Sequence, residues 1–211
     1  LMIDRPFRSP HHSISTAGMI GNSKLLPGEV SLAHNGILFL DEMAEYRRDV
    51  LESLRTPLED GVVTITRAAG QASFPAKCTL IAAVNPCPCG WRFHPDKICR
   101  CSQSQLQRYA SKLSGPILDR IDLHIWVEPI TTSQFFDQTE PEPSDVIRRR
   151  VQSCRSKQTQ RYTHSEFRCN ADLQGEGLWE HCQLASECQR WLIDIANQEL
   201  LSARSVSRVI K

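Results

Sequence analysis

The feature that most constrains this chain is the stretch from Gly36 to Glu42, GILFLDE, in which four consecutive apolar residues end in two adjacent carboxylates. A short apolar run without alternation fits a strand buried on both faces, the pattern of a parallel sheet. Open sheets of that kind bind ligands outside the carboxyl ends of their strands. Asp41 and Glu42 therefore stand at the ligand edge. A second apolar run, CTLIAAVN from Cys78, reads as another buried strand, tipped by Asn85, and LHIWVEP from Leu123 as a third. Between the first two, Tyr46, Val50, Leu51 and Leu54 recur at helical spacing over 44–56, with Pro57 closing or breaking the helix. The segment from Gly61 to Ala76 alternates apolar and polar residues around a Gly-containing turn, which predicts a β-hairpin. A helix is expected near 103–113. Residues 1–35, rich in Gly, Ser, His and Pro, read as irregular or partly helical.

Past residue 130 the pattern changes. TTSQFFDQTEPEPS is a polar, Pro-containing linker, and Ser144 is a candidate N-cap for the helix after it. From there to the end the pattern is helical, with breaks near Asn170 and Gly175–Gly177. The predicted organisation is an α/β layer over 1–130, a linker over 131–143 and a helical piece over 144–211, with no internal repeat. The chain has 211 residues, 40% hydrophobic and 23% charged, as in an ordinary globular protein. Its net charge of +1 leaves any nucleic-acid surface to local clustering. No apolar run approaches the ~18–20 residues of a membrane span, and no secretion signal opens the chain. The opening LMIDRPFRSPHH reads as the middle of a longer protein. Nine Cys, an odd number in a chain too large to need disulfide staples, point to a reducing, cytoplasmic compartment.

Four elements carry chemistry. Asp41 can order a hydrated Mg²⁺ and Glu42 can polarise an attacking water; equally, a buried strand can simply end in Asp-Glu. Asn85 can bond a terminal phosphate or the lytic water, or form an Asn-Pro turn. In SGPILDRIDLHI, Ser114 to Ile125, Arg120 can reach a neighbouring subunit's nucleotide, or pair locally with Asp119 or Asp122. In LSARSVSR, Leu201 to Arg208, Arg204 can reach a γ-phosphate from a lid, or be an exposed helix Arg.

The order is acidic strand, hairpin, Asn-tipped strand, Asp-Arg, strand, and helical piece with Arg. It is the order of parts in a AAA+ ATPase from its acidic strand onward. RPFRSPHHS, PGEVSLAHNGILFLDE, LRTPLEDG, AAVNPCPCG, SGPILDRIDLHI and LSAR resemble the signature blocks of the magnesium-chelatase-like ComM (YifB-type) family over almost the whole chain. The resemblance implies an α/β fold: a partial AAA+ parallel sheet, a presensor-1 hairpin, a Cys-rich loop and a helical lid that is truncated at its C-terminus. It makes Asp41 and Glu42 the Walker B pair, Asn85 the sensor 1 residue, Arg120 the arginine finger and Arg204 the sensor 2 residue. It implies ATP and Mg²⁺ as cofactors and a homo-oligomeric ring, taken as a hexamer, that acts on DNA in branch migration during natural transformation. The hairpin, with Arg67, would face DNA or the central pore.

Two departures stand against the family pattern. Its Gly-rich run is here GNSKLL, Gly21 to Leu26. No GxxxxGK[ST] occurs: in AGMIGNSK, Ser23 replaces the needed Gly and Leu25 the Ser/Thr. The first strand and its phosphate-binding loop are expected upstream of Leu1, so the 211-residue chain by itself is expected to bind ATP·Mg weakly or not at all and to hydrolyse none.

Cys87 and Cys89 at one end of a short loop, with Cys99 and Cys101 at the other, fit a tetrahedral thiolate Zn²⁺ site. His94 is a substitute ligand, and reduced thiols in a turn-rich loop are the alternative. Cys154, Cys169, Cys182 and Cys188 read as core or surface thiols, and His11 and His12 as structural or loop residues. Arg148, Arg149, Arg150, Arg155, Lys157 and Arg161 form a basic run on a predicted helix, either a phosphate contact or a solvated face. Two rival functions remain at this level: a chelatase-type motor inserting Mg²⁺ into a porphyrin, and a zinc-stabilised nucleic-acid-binding module.

Overall fold

The structure, a computed structural model, describes residues 4–67, 70–113, 115–130, 135–136 and 140–211. Ser114, the hairpin-turn residues 68–69 and much of the expected linker (131–134 and 137–139) lie outside them. The chain forms two compact units, Leu1–Pro129 and Ile130–Lys211.

The first unit is mixed α/β. Its centre is a three-stranded parallel sheet in the order β1 (Phe7–Arg8), β2 (Ile37–Leu40), β5 (Thr79–Ala82). Leu38 and Leu40 are fully buried, and with Val30, Met19 and Ile117 they belong to the unit's core. The two-residue strand β1 lies within the stretch read as irregular. Nothing in RPFRS alternates clearly enough to mark it, and it forms because β2 offers an edge. Its place dictates Gly36: a Cβ there would lie 1.9 Å from the Pro6 carbonyl oxygen, while the Ile37 N–H donates to that same oxygen at 2.8 Å.

After β2 the chain makes a short 3₁₀ turn (Met43–Glu45) and two helices, α3 (Arg48–Ser53) and α4 (Arg55–Asp60). Tyr46, Val50, Leu51 and Leu54 are all buried. The expected single helix is instead two, broken at Leu54, and Pro57 ends neither. It sits in the first turn of α4, where a missing N–H has no helical acceptor to lose. The hairpin pairs β3 (Val62–Arg67) with β4 (Gly70–Pro75), from Val62 opposite Pro75 to Arg67 opposite Gly70. Val63 and Ile65 turn inward to the core. The loop that carries GNSKLL lies beneath: Gly21, at φ +123°, has no room for a Cβ against Ile65. Two short helices, α1 (Thr16–Ile20) and α2 (Glu29–Leu32), flank that loop, and α5 (Gln103–Ala110) and α6 (Gly115–Leu118) follow the Cys-rich segment.

The expected third strand does not form. Residues 123–130 make no ladder, and Leu123, Ile125 and Val127 are each about 80% exposed. A buried strand is held by hydrogen bonds to its neighbours. Among the described residues no strand pairs with the outer edge of β5, so this apolar run has nothing to pair with.

The second unit is helical: α7 (Ser144–Arg161), α8 (Gly175–His181), α9 (Ser186–Gln198) and α10 (Ala203–Ile210). Ser144 is the first helical residue rather than the cap, which is Pro143. Tyr162, Leu173 and Leu178 form a small core with Phe167, Cys182 and Ile210 around it. The first turn of α8 contains Gly177, packed so closely against Phe167 that a Cβ would meet its ring at 2.4 Å. Among the described residues no helix is long and apolar enough to cross a membrane.

Candidate active site and metal centre

The three parallel strands deliver their carboxyl ends to one edge of the first unit. Asp41 and Glu42 follow β2, and both are exposed. Glu42 takes a left-handed backbone conformation, φ 49° and ψ 46°, a strained choice for a residue with a Cβ and one that clusters at functional sites. Two bonds enforce it: the Asp41 carboxylate accepts from the Glu42 N–H at 3.0 Å, and the Met43 N–H donates to the Ala83 carbonyl at 2.9 Å. The second bond ties the end of β2 to the end of β5, which leads to Asn85. Asn85 is exposed, and its carbonyl accepts from the Tyr109 hydroxyl of α5 at 3.1 Å. Tyr109 has a raised pKa, chiefly from burial, with the charges of Glu45, Cys87 and Glu42 adding to it.

His12, read from the sequence as a structural or loop residue, lies beside the acidic pair. The chain leaving β1 places its Nδ1 3.7 Å from the Glu42 carboxylate. Tyr46 steadies this segment by donating its hydroxyl to the Pro10 carbonyl. Because β1 was not legible, nothing in the sequence could set His12 beside Glu42.

Arg120 is placed differently from a free finger. Its side chain is 9% exposed. Nε donates to the Arg55 carbonyl at 2.9 Å, Nη1 to the Pro116 carbonyl at 2.6 Å, and Nη2 pairs with Glu59 of α4. The pairing with Glu59 reaches an acid that is neither adjacent nor two residues away. Here the guanidinium clamps α6 to α4. Arg120→Ala is expected to destabilise the protein by about 1–3 kcal/mol, the penalty typical of buried partners left unpaired. The check is thermal denaturation of the full-length protein alongside the ATPase rate of mixtures of variant and unchanged protein. A clamp lowers Tm and depresses the rate in proportion to dose, whereas unchanged Tm with a more than proportional loss would restore the finger role.

Arg204 lies in the second unit, exposed in the first turn of α10, whose cap Ser202 accepts from the Ser205 N–H at 3.1 Å. Arg67, at the end of β3, is exposed and donates to the Thr66 carbonyl. On α7, which buries no residue, Arg148 is exposed, Arg149 pairs with Asp145 at 2.6 Å and Arg150 with Glu142 at 2.8 Å. Two cations of the basic run are therefore answered locally.

The strongest convergence is of the four cysteines. The sulfurs of Cys87, Cys89, Cys99 and Cys101 all lie within 4.8 Å of one another. Cys87 is 3.4 Å from Cys89 and 3.8 Å from Cys99, and Cys89 is 3.6 Å from Cys99. A thiolate tetrahedron around zinc, with bonds of about 2.3 Å, has edges of about 3.8 Å. The cluster can therefore hold a metal ion. Backbone N–H groups of Trp91 and Arg100 point at the Cys89 sulfur and bring its pKa down to about 6. Burial and the neighbouring Cys89 push Cys101 up to about 12. His94 is turned to other partners: its Nδ1 accepts from the Asp96 N–H at 3.1 Å, and its ring meets Trp91 edge-on.

A parallel sheet with an acidic strand tip, a hairpin, an Asn-tipped strand and a helical second unit is the fold of a partial AAA+ protein. Two family descriptions match it: magnesium chelatase, subunit ChlI, over residues 1–135, and the ChlI C-terminal region over 141–211. The chain belongs to the magnesium-chelatase ChlI family of AAA+ ATPases. Among individual proteins, it is 40% identical over 210 residues to the uncharacterised protein YifB of Salmonella typhimurium, covering 98% of this chain and 40% of that one. It is 39% identical over 210 residues to YifB of Escherichia coli and 40% identical over 210 residues to competence protein ComM of Haemophilus influenzae, each with the same coverage. The chain thus spans about 40% of the length of the curated relatives it matches.

Proposed function

We propose that this chain supplies part of the hydrolytic core of an ATP-driven ring motor that remodels DNA, with a structural zinc site beside it. The observation that carries the reading is the pair of carboxylates at the end of β2, held next to the Asn85 tip of β5 by the Met43–Ala83 bond. Bound ATP·Mg²⁺ supplies the phosphoryl chemistry. Asp41 offers the hard oxygen that a hydrated Mg²⁺ takes. Glu42 accepts the proton of the attacking water, and its fixed backbone limits where its carboxylate can go. The Asn85 side chain, free of the bond its carbonyl makes, can orient the water or a terminal phosphate. Arg204 is the candidate lid contact, and assembly into a homo-oligomeric ring would bring a neighbour's groups to the same nucleotide.

DNA as the substrate rests on the likeness to competence protein ComM. On α7 the local pairing of Arg149 and Arg150 favours a solvated face for the basic run; Arg67 on the hairpin and Arg148 on α7 are the exposed cations left as candidates. The reading is tested by the ATPase rate of the full-length protein with and without branched or single-stranded DNA. Stimulation of several-fold is expected. A rate indifferent to DNA but raised by a porphyrin substrate would point to chelatase chemistry instead.

A further inference from the structure

The loop from Cys87 to Cys101 leaves the sheet just beyond Asn85 and re-enters the fold at Ser102, the N-cap of α5. Four sulfurs lie together where its two ends meet, and the residues between them form the tip of the loop. That tip spends apolar surface on solvent: Trp91 is 39%, Phe93 58% and Ile98 86% exposed. Phe93 is met edge-on by Trp126, itself 58% exposed, at 5.2 Å between centroids. Cations sit against the same rings. The Lys97 ammonium lies 3.7 Å over the Trp91 ring and the Arg92 guanidinium 5.3 Å from the Phe93 centroid. Arg100 is exposed as well, and Asp96 is the one acid between Trp91 and Arg100.

We propose that this tip is a stacking platform for single-stranded DNA, with bases on Trp91 and Phe93 and phosphates on Arg92 and Lys97. The inference rests on the DNA-acting reading above but not on ATP hydrolysis. Every base has a π-face, so exposed rings interleaved with cations bind a single strand without reading its sequence. A protein partner would favour an interface core depleted of charge, whereas here each exposed ring at the tip has a cation on it or next to it in sequence. A zinc tetrathiolate would be net negative, but it would lie at the base of the loop, with Cys87 fully buried, while Arg92 and Lys97 are exposed at the tip. Lys97 does not block Trp91, because a cation–π contact at an exposed site is weak and a flexible Lys can exchange the ring for a phosphate. With a metal bound, the four thiolates would brace the loop ends before the strand arrives, which spares ordering entropy on binding.

The experiment measures fluorescence anisotropy of labelled oligo-dT of about 30 nucleotides with the full-length protein, without nucleotide. Trp91→Ala/Phe93→Ala is expected to weaken binding by roughly 10-fold or more, the range typical of lost base stacking, with metal content and basal ATPase unchanged. Arg92→Ala/Lys97→Ala is expected to flatten the salt dependence, lowering the log–log slope by about 1.4 for two phosphates on a single strand. Wild-type affinity in the Trp91→Ala/Phe93→Ala protein would overturn the proposal. Should that variant lose its metal, Trp91→Leu/Phe93→Leu keeps apolar bulk while removing both π-faces, and undiminished binding there overturns it equally. A change in assembly mass with unchanged oligo-dT binding would assign the loop to a subunit contact, and tighter binding of oligo-rU would assign it to RNA. The two readings fail separately: Glu42→Gln should change hydrolysis and leave oligo-dT binding intact, while Trp91→Ala/Phe93→Ala should change oligo-dT binding and leave hydrolysis intact.

Discussion

In the full-length protein, Glu42→Gln is expected to keep ATP binding and to lose hydrolysis by ~10²–10⁴-fold, the usual contribution of a positioned general base. The amide keeps the size of the carboxylate and its place after β2, but it cannot accept a proton from water. The left-handed backbone at Glu42 is set by the Asp41 and Met43 bonds rather than by the side chain, so the substitution leaves the strand tip as it is. Binding and turnover should therefore separate cleanly: nucleotide affinity by titration unchanged, single-turnover hydrolysis nearly abolished. Turnover at the parent rate would remove Glu42 from the chemistry and leave its position beside His12 as a surface contact.

Metal analysis of the full-length protein should return about one Zn²⁺ per chain, and none after Cys87 and Cys99 are both changed to Ser. The structural consequence should be large, because binding energy at a structural zinc site is folding energy for the segment it closes. Cys87 is fully buried and Asn85 lies two residues before it, while Tyr109 of α5 reaches back to the Asn85 carbonyl. Loss of metal should thus loosen both the loop and the Asn85 tip. A chelator is expected to lower Tm and to depress ATPase activity together, and zinc edge absorption should show sulfur ligands at about 2.3 Å. A metal-free protein that melts at the same temperature with and without chelator would rule the site out.

Much of the site could be read from the chain because its groups sit at the ends of apolar runs. GILFLDE and LIAAVN are short, unbroken and bounded by polar residues, and their parallel pairing places Asp41, Glu42 and Asn85 at one edge; β5 is nevertheless not the buried strand its composition predicts, since none of its residues is buried and Ile81 is 44% exposed, its outer edge having no strand partner among the described residues. The paired cysteines were visible as C-x-C at both ends of one loop, although spacing could not say that four sulfurs would come within a tetrahedron's reach. His12, by contrast, had no signal, since its strand is two residues long and exists only against β2. Arg120 was visible as a cation beside two acids, yet Glu59, with which it pairs, is reached only once α6 packs on α4.

By itself the sequence determined the apolar strands β2 and β5, the hairpin, the helix after the cysteines and the buried face of α3. Each of these depends on local periodicity and on the cost of exposing apolar side chains, which every residue carries with it. Tertiary structure alone decided the rest. Strand β1 forms, and the apolar segment 123–129 does not, because a strand needs a partner's hydrogen bonds and only one of the two has a partner among the described residues. Gly36 is compelled by the passage of Pro6, Glu42 is held left-handed by bonds from its own strand end and from β5, and Arg120 faces inward because two backbone carbonyls and a carboxylate lie within its reach. Those are long-range contacts between groups with no fixed sequence spacing, and periodicity carries no record of them.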